Sequence, residues 1–523
     1  MGMRSKLTAF LLLLASFGAG LSGCEMDSQP MPANTLTWTD FDRVRMSRME
    51  GELSDLRTML NQYYGGHAVL DHSWYLPGHN PSRKQGLAFL ASKFARAVVW
   101  QDPLVIGTIG SSVVAGFDNC RYDCYQQQLQ RTLGPVLATA GSRLEVRNSG
   151  QGGTCGDSFD NQIWCQSTLV GSDIDIAHYS WTYFESGQAN KAVIAHEMFY
   201  RWSLMMDHAP SPQLIYANDC GKLQPREQTL VNAYAVFGAD ILCMTRGLAE
   251  LGYQRREWGE MGDPLHSTSR EGAARGTSEL RRDSLAVMYR NWHPGPLLFQ
   301  TTADVLAWRY SEALLLALEW ISKEPDPKSR WPRKPTKLGL ADLPPPLECP
   351  PEWCNVDRLP VCVNFEHPVF GKPDVALLAA LERGWVFDPG RAEEQRAMPA
   401  EEKNLPQCRH PNRCSGWRVP PDQQAGALSF RLPALELGMV AVCCGSKGCG
   451  QKMLEAGAEF LIDGKKPVVA PQAHWADKCV QVQGRIPERD QASKSGGGQP
   501  VRLDITLPAT TQPLPPITHV FGL

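Results

Sequence analysis

A serine held in a glycine-bounded turn at the end of a buried strand is placed to act as a nucleophile, and residues 104–119 have that form. The apolar run Leu104-Val105-Ile106-Gly107-Thr108-Ile109 ends in Gly110-Ser111-Ser112, followed by Val113-Val114-Ala115-Gly116-Phe117-Asp118-Asn119. Such a run reads as a strand buried on both faces. The turn then sets a hydroxyl at the mouth of the sheet, where it can meet substrate without the fold opening. A serine is a weak nucleophile at its own pKa and needs a base within hydrogen-bond reach. Most glycine-rich turns are only turns, so the assignment depends on partners elsewhere. Three stretches qualify: Asn148-Ser149-Gly150-Gln151-Gly152-Gly153-Thr154, Ser180-Trp181-Thr182-Tyr183 and Trp292-His293-Pro294-Gly295-Pro296.

The elements that must position them follow from the pattern of apolar residues. Short apolar runs alternate with longer helical stretches from about Val98 to Ser322, which predicts a parallel sheet covered by helices on both faces. Strands are expected at Leu104–Ile109, Leu144–Arg147, Ile174–Tyr179 and Leu214–Ala217. Ala239–Met244 reads either as a fifth strand or as part of a helix. Helices are expected at Cys124–Ala140, Asn190–Met206, Leu230–Leu251 and Thr302–Ile321. The serine turn and two of the other stretches then fall at strand ends, on one crevice, and the histidine of the last stands just before the final helix.

Upstream, Trp38 to Tyr64 carries apolar residues at helical spacing and reads as an amphipathic helix that packs on the next domain. Downstream, Lys323 to Pro351 is proline-rich and aperiodic, which suggests a linker. Beyond it the segments Ala427–Pro433, Met439–Cys444, Ala458–Ile462, Cys479–Ile486, Val501–Leu507 and Ile517–Leu523 have strand character between turn signals, as in a β-sandwich. The expected organisation is a signal peptide over 1–23, a helical extension over 24–97, an α/β domain over 98–322, the linker over 323–351 and a cysteine-containing β-rich domain over 352–523. A chain of 523 residues has room for two or three such units.

Lys and Arg total 52 against 55 Asp and Glu, for a net charge of −3. With no basic block and no aromatic-studded basic patch, the electrostatic footprint of a nucleic-acid binder is missing. Arg4 and Lys6, the apolar Leu7–Leu14 and the small residues up to Gly23 have the order of a secretory signal. An uncleaved anchor and lipidation of Cys24 after Leu21-Ser22-Gly23 are the two routes to membrane attachment. Sixteen cysteines in an exported chain read as disulfides, with Cys120/Cys124, Cys155/Cys165 and Cys349/Cys354 as local pairs. No His/Asp/Glu cluster has ligand-like spacing, so neither metal nor cofactor is expected.

In this order the serine, glycine and histidine stretches resemble the SGNH (GDSL-type) hydrolases, as a divergent member similar to SGNH-like secreted proteins of algae and other protists. The resemblance covers roughly Leu104 to Leu318 and stops short of the β-rich region. It implies a three-layer α/β/α, flavodoxin-like domain and a serine esterase. Carried over by position, Ser112 is the nucleophile, and His293 takes its proton and returns it to the leaving group. The backbone N–H groups of Ser112 and Gly153 face the oxyanion. The chain departs from the family at three places. Ser111 stands where the family has aspartate, Tyr183 stands where it has the asparagine donor, and Arg290 stands three residues before His293. The orienting carboxylate is then Asp263 or Asp283 from elsewhere, or there is only a Ser-His dyad. Asp263-Pro264-Leu265-His266 spells the family's Asp-x-x-His and makes His266 the alternative base, but the long helix expected after the base follows His293. His178 and His196 read as packing or surface residues.

The reading is an exported esterase that hydrolyses an O-acyl ester on a small molecule or polysaccharide. A catalytically silent glycan-binding protein on the same fold and an O-acyltransferase are the alternatives. Exposed tryptophans such as Trp417 or Trp475 in the β-rich domain would favour sugar stacking.

Overall fold

The computed structural model describes residues 38–247 except 79, 117–123, 152–158, 182–188, 217–224 and 244–245. It also describes 289–290, 293–294, 296–365, 370–372, 375–379, 384–388, 416–420, 427–433, 435, 439–445, 448–470, 478–483, 500–508, 514 and 517–522. The chain forms two compact units, 1–44 and 45–523. Of the first, the described residues are the opening turns of helix α1 (Trp38–Tyr63).

In the second unit, five parallel strands form one sheet among the described residues: β1 (Pro103–Gly110), β2 (Arg143–Asn148), β3 (Ile176–Ser180), β4 (Ser211–Tyr216) and β5 (Asp240–Cys243). Their order is β2-β1-β3-β4-β5, the doubly wound order of flavodoxin-like folds. β1 is buried almost end to end because it lies in the interior of a sheet covered on both faces. Its side chains alternate between those faces. Val105 and Ile109 join a core with Trp164, Phe199, Trp202 and Tyr234, from α4 (Phe159–Trp164), α5 (Ala189–Leu204) and the helix Pro225–Tyr234. The opposite face is covered by α2 (Pro81–Trp100), α3 (Tyr125–Thr139) and α6 (Pro296–Lys323), which pack together. This is the expected three-layer α/β/α arrangement.

Two local outcomes differ from the sequence reading. The helix expected over Leu230–Leu251 ends at Tyr234, and a 3-10 turn leads to Gly238 at φ +83°. That left-handed residue breaks the helix, and of the two readings of the stretch from Ala239 the strand holds, as β5 over Asp240–Cys243. Second, α2 starts in the stretch expected as a helical extension over 24–97 but runs on to Trp100 and packs on the sheet. Asn80 caps it by accepting from Ser82 N at 2.9 Å, and Pro81 opens its first turn, the standard helix start. In α1, Met46, Met49, Leu53, Leu56 and Leu60 are buried at helical spacing, and Arg57 lies over the Trp308 ring of α6 at 3.6 Å.

Residues 323–351, expected as a linker, run as a strap on the α/β layer. The buried Glu197 carboxylate accepts from the backbone N–H groups of Leu347 (2.8 Å), Glu348 (2.5 Å) and Cys349 (2.7 Å), and from Tyr234 Oη at 3.0 Å. One turn later Arg201 donates to the carbonyls of Pro344 and Cys354.

Antiparallel sheets follow. β8 (Val361–Asn364), β10 (Val386–Asp388), β11 (Gly416–Arg418), β13 (Met439–Cys444), β15 (Val468–Ala470), β16 (Cys479–Gln483) and β18 (Ile517–Gly522) form one sheet. β9 (Ala376–Ala379), β12 (Leu428–Leu432), β14 (Glu459–Ile462) and β17 (Val501–Thr506) form the other. Between them lie Phe430, Val440, Val442, Val480, Leu503, Ile505 and Val520, the interior of the expected sandwich. Trp417, which would favour sugar stacking were it exposed, is only 7% exposed. It belongs to this core beside Phe365 and Phe387, so it offers no face for stacking. Trp475 lies outside the described residues.

The larger sheet is buried on both sides. On β13, Val440 and Val442 face the sandwich interior, while Met439, Ala441 and Cys443 join the α/β core. Phe521 of β18 stacks on Trp164 of α4 at 5.2 Å. Disulfides join Cys165 to Cys362, Cys349 to Cys354 and Cys443 to Cys479. Of the expected local pairs, Cys349/Cys354 forms, whereas Cys165 is bonded across the interface to β8 instead of to Cys155. Cys155 and Cys120 lie outside the described residues.

Candidate active site

β1 has β2 on one side and β3 on the other. Its carboxyl end is therefore the switch point where the chain winds in both directions and a crevice opens. Ser111 and Ser112 are the first residues past that end. Ser111 N extends the β1–β3 ladder to the Ser180 carbonyl at 3.3 Å, and its Oγ accepts from Val113 N at 3.3 Å. Ala115 N then donates to the Ser111 carbonyl at 3.0 Å, closing a helical turn. A hydroxyl thus does at position 111 the local capping that a carboxylate could do. Ser112 stands in the first turn at 5% exposure.

Glycine is required at two points around this turn. A Cβ on Gly110 would meet Val114 Cγ2 at 2.3 Å and the Ser180 carbonyl at 2.8 Å. One on Gly150 would meet Ala115 N at 2.4 Å. The loop after β2 lies directly against the serine's turn. Asn148 joins them, its Nδ2 donating to the Val114 carbonyl at 2.7 Å and its Oδ1 accepting from Gly150 N at 2.9 Å.

Beneath the turn the three strand ends share a buried polar cluster. The Gly110 carbonyl accepts from Gln151 N at 2.9 Å and from Gln162 Nε2 of α4 at 3.0 Å. Gln162 also donates to Gln151 Oε1 at 3.2 Å and accepts from Trp181 Nε1 at 2.7 Å. Gln151 stands inside the glycine loop read from the sequence, yet nothing there marks it as different from its neighbours. No local pattern marks Gln162.

His293 lies in a two-residue strand, β7 (His293–Pro294), paired with β6 (Tyr289–Arg290) and three residues ahead of α6. Gly153, Tyr183, Asp263, His266 and Asp283 lie outside the described residues. His178 and His196 are both buried. Burial holds the His178 imidazole down at about 3, its Nε2 lies 2.6 Å from Tyr310 Oη, and Tyr310 Oη donates to Gln213 Oε1. So weak a proton acceptor is unsuited to general-base work near neutrality. His196 packs edge-on against Tyr179 and lies 3.7 Å from Glu227. Among the described residues, no group of three His, Cys, Asp or Glu side chains could hold a metal ion, and no helix is long and apolar enough to cross a membrane.

No family model and no curated protein matches the chain. Among solved structures it is similar to a two-domain esterase (CEX) active on acetylated mannans, at 13% identity and a TM-score of 0.36, over 82% of this chain and 92% of that one. The same esterase co-crystallised with mannopentaose matches over the same shares at 14% identity and a TM-score of 0.34. The assignment to an α/β/α fold of flavodoxin-like order, followed by an antiparallel sandwich, rests on strand order and pairing in this chain.

Proposed function

We propose that the protein is an exported SGNH-like serine esterase that hydrolyses an O-acyl ester, on a carbohydrate or a smaller acylated molecule. The observation that carries the reading is the position of Ser112, at the switch point of the sheet in a turn whose glycine contacts tolerate no side chain. In the reaction, Ser112 Oγ attacks the acyl carbon as His293 takes the hydroxyl proton. The N–H groups of Ser112 and Gly153, with Tyr183, hold the developing oxyanion. The C–O bond then breaks, the alcohol leaves with the proton from His293, and water repeats the sequence on the acyl-enzyme. Asp263 orients the base, with His266 as the alternative base. The disulfides support export, since such bonds persist in oxidising compartments, and the N-terminal segment with Cys24 supplies the signal or the anchor.

The test is hydrolysis of short-chain acyl esters by the full chain and by Ser112→Ala. The expected result is turnover by the wild type and loss of at least about a thousandfold in the variant. Equal rates overturn the reading. Retained glycan binding without turnover in either protein would point to the silent binding alternative.

A further inference from the structure

The cluster under Ser112 contains one group with no hydrogen-bond partner among the described residues. Trp181 Nε1 is a donor only and the Gly110 carbonyl an acceptor only. The Gln162 carboxamide between them has therefore one orientation, oxygen toward the indole and nitrogen toward Gly110. That nitrogen also donates to Gln151, so the atom of Gln151 facing it must be oxygen. Both amides are thus fixed by chemistry rather than by choice of flip. The consequence falls on the other end of Gln151. Its Nε2 is buried with no hydrogen-bond partner among the described residues, on a side chain only 4% exposed. A buried donor left unmade is destabilising, and such groups in a folded protein call for an explanation. Gln162 Nε2 bonds both the Gly110 carbonyl and Gln151 Oε1, so the Gln151 carboxamide lies near the residue two positions before Ser112.

We propose that the Gln151 Nε2–H group is a substrate-contacting donor, pre-set by Gln162 and Trp181, that hydrogen-bonds the acyl oxygen as negative charge develops on it. The role rests on the esterase reading and deepens it. It supplies the carboxamide donor that the chain lacks at position 183, where tyrosine stands. The orphaned donor is satisfied when substrate is bound.

The test is the rate at which a fluorophosphonate labels Ser112. Ser112 Oγ bonds to phosphorus, the P–F bond breaks, fluoride leaves, the hydroxyl proton passes to the base, and the phosphoryl oxygen occupies the oxyanion's place. Gln151→Glu keeps an oxygen that accepts from Gln162 and replaces the amide donor with a second carboxylate oxygen. Gln151→Met removes the donor without adding charge, and the acceptor for Gln162 with it. Labelling is expected to slow by about a hundredfold or more in both, with the thermal midpoint within about 3 °C of wild type. Wild-type labelling rates in either folded variant overturn the donor role and leave the nucleophile reading standing. If Gln151→Met does not fold, having also lost the acceptor for Gln162, the Gln151→Glu rate decides. A wild-type protein that does not label overturns the nucleophile reading, and the donor role with it.

Discussion

Cys165 and Cys362 are bonded across 197 positions of sequence, joining the end of α4 to strand β8 of the sandwich. α4 therefore has two attachments within four residues. Gln162 holds the strand ends beneath Ser112, and Trp164 with Cys165 holds the outer face of the larger sheet. The sandwich thus acts on the site by fixing the helix that braces it. Replacing Cys165→Ser together with Cys362→Ser should lower stability by about 2–4 kcal/mol, read as the urea midpoint under non-reducing conditions. Ser112 labelling should slow more than it does in a surface variant of equal stability. An unchanged midpoint would mean that the packed interface alone sets the arrangement.

Much of this architecture is legible in the chain. The buried run ending at Gly110 and the six expected sandwich segments all became strands, because an unbroken apolar run and a strict alternation each have one ready solution in a layered fold. Strands β8 to β11 and β15 were not visible. Three or four residues carry too little pattern, and their pairing is decided by partners far along the chain, as with Cys362 of β8 opposite Phe521 of β18. Helix α2 was readable at its Asn80-Pro81 start. Trp417 was not, since exposure belongs to the tertiary packing. At the site, the serine turn stood out while Gln162 did not, because its role consists of three contacts with residues at other strand ends.

Glu197 gathers three backbone N–H groups of the strap and one tyrosine hydroxyl. Removing the carboxylate leaves them buried without an acceptor, and each orphan costs about 1–3 kcal/mol. Glu197→Ala should therefore destabilise by about 3–5 kcal/mol, and limited proteolysis should cut within residues 344–349 before any global unfolding. Glu197→Gln keeps one acceptor oxygen and should lose less. Cleavage at the wild-type rate in the alanine variant would show that the Arg201 contacts alone hold the strap.

Two buried groups set opposite pH dependences. Burial raises the Asp304 carboxyl to about 6, against hydrogen bonds from Tyr64 and Gln300. Its contribution is complete below pH 4, where folded and unfolded states both hold the proton. It is lost as pH rises through 6, a cost of at most about 3 kcal/mol at neutrality. Asp304→Asn should thus flatten the stability curve between pH 4 and 7. His178, held at about 3, runs the other way. Its contribution is present above pH 6.5 and falls away toward pH 3 as the unfolded chain takes up the proton, by at most about 5 kcal/mol. Urea midpoints measured from pH 4 to 8 on wild type, Asp304→Asn and His178→Gln separate the two. Parallel curves for all three would refute both assignments.

The contact between Gly150 and the serine's own turn gives the sharpest test of how that turn is held. The atoms that a Cβ at 150 would strike are backbone, Ala115 N at 2.4 Å and Val114 C at 2.7 Å, so no rotamer change relieves the clash. Either the loop after β2 lifts away, breaking the Asn148 bonds to the Val114 carbonyl and Gly150 N, or the turn at 111–116 shifts and carries Ser112 with it. Both outcomes separate the serine from the loop that leads to Gly153. Gly150→Ala should cost about 1–3 kcal/mol and slow Ser112 labelling by about a hundredfold, since a displacement near 1 Å is enough to do so. Asn148→Ala removes the same tie without the clash and should reproduce the labelling loss more weakly. Labelling at the wild-type rate in a folded Gly150→Ala protein would show that the two loops move independently, and that the glycine is there for packing alone.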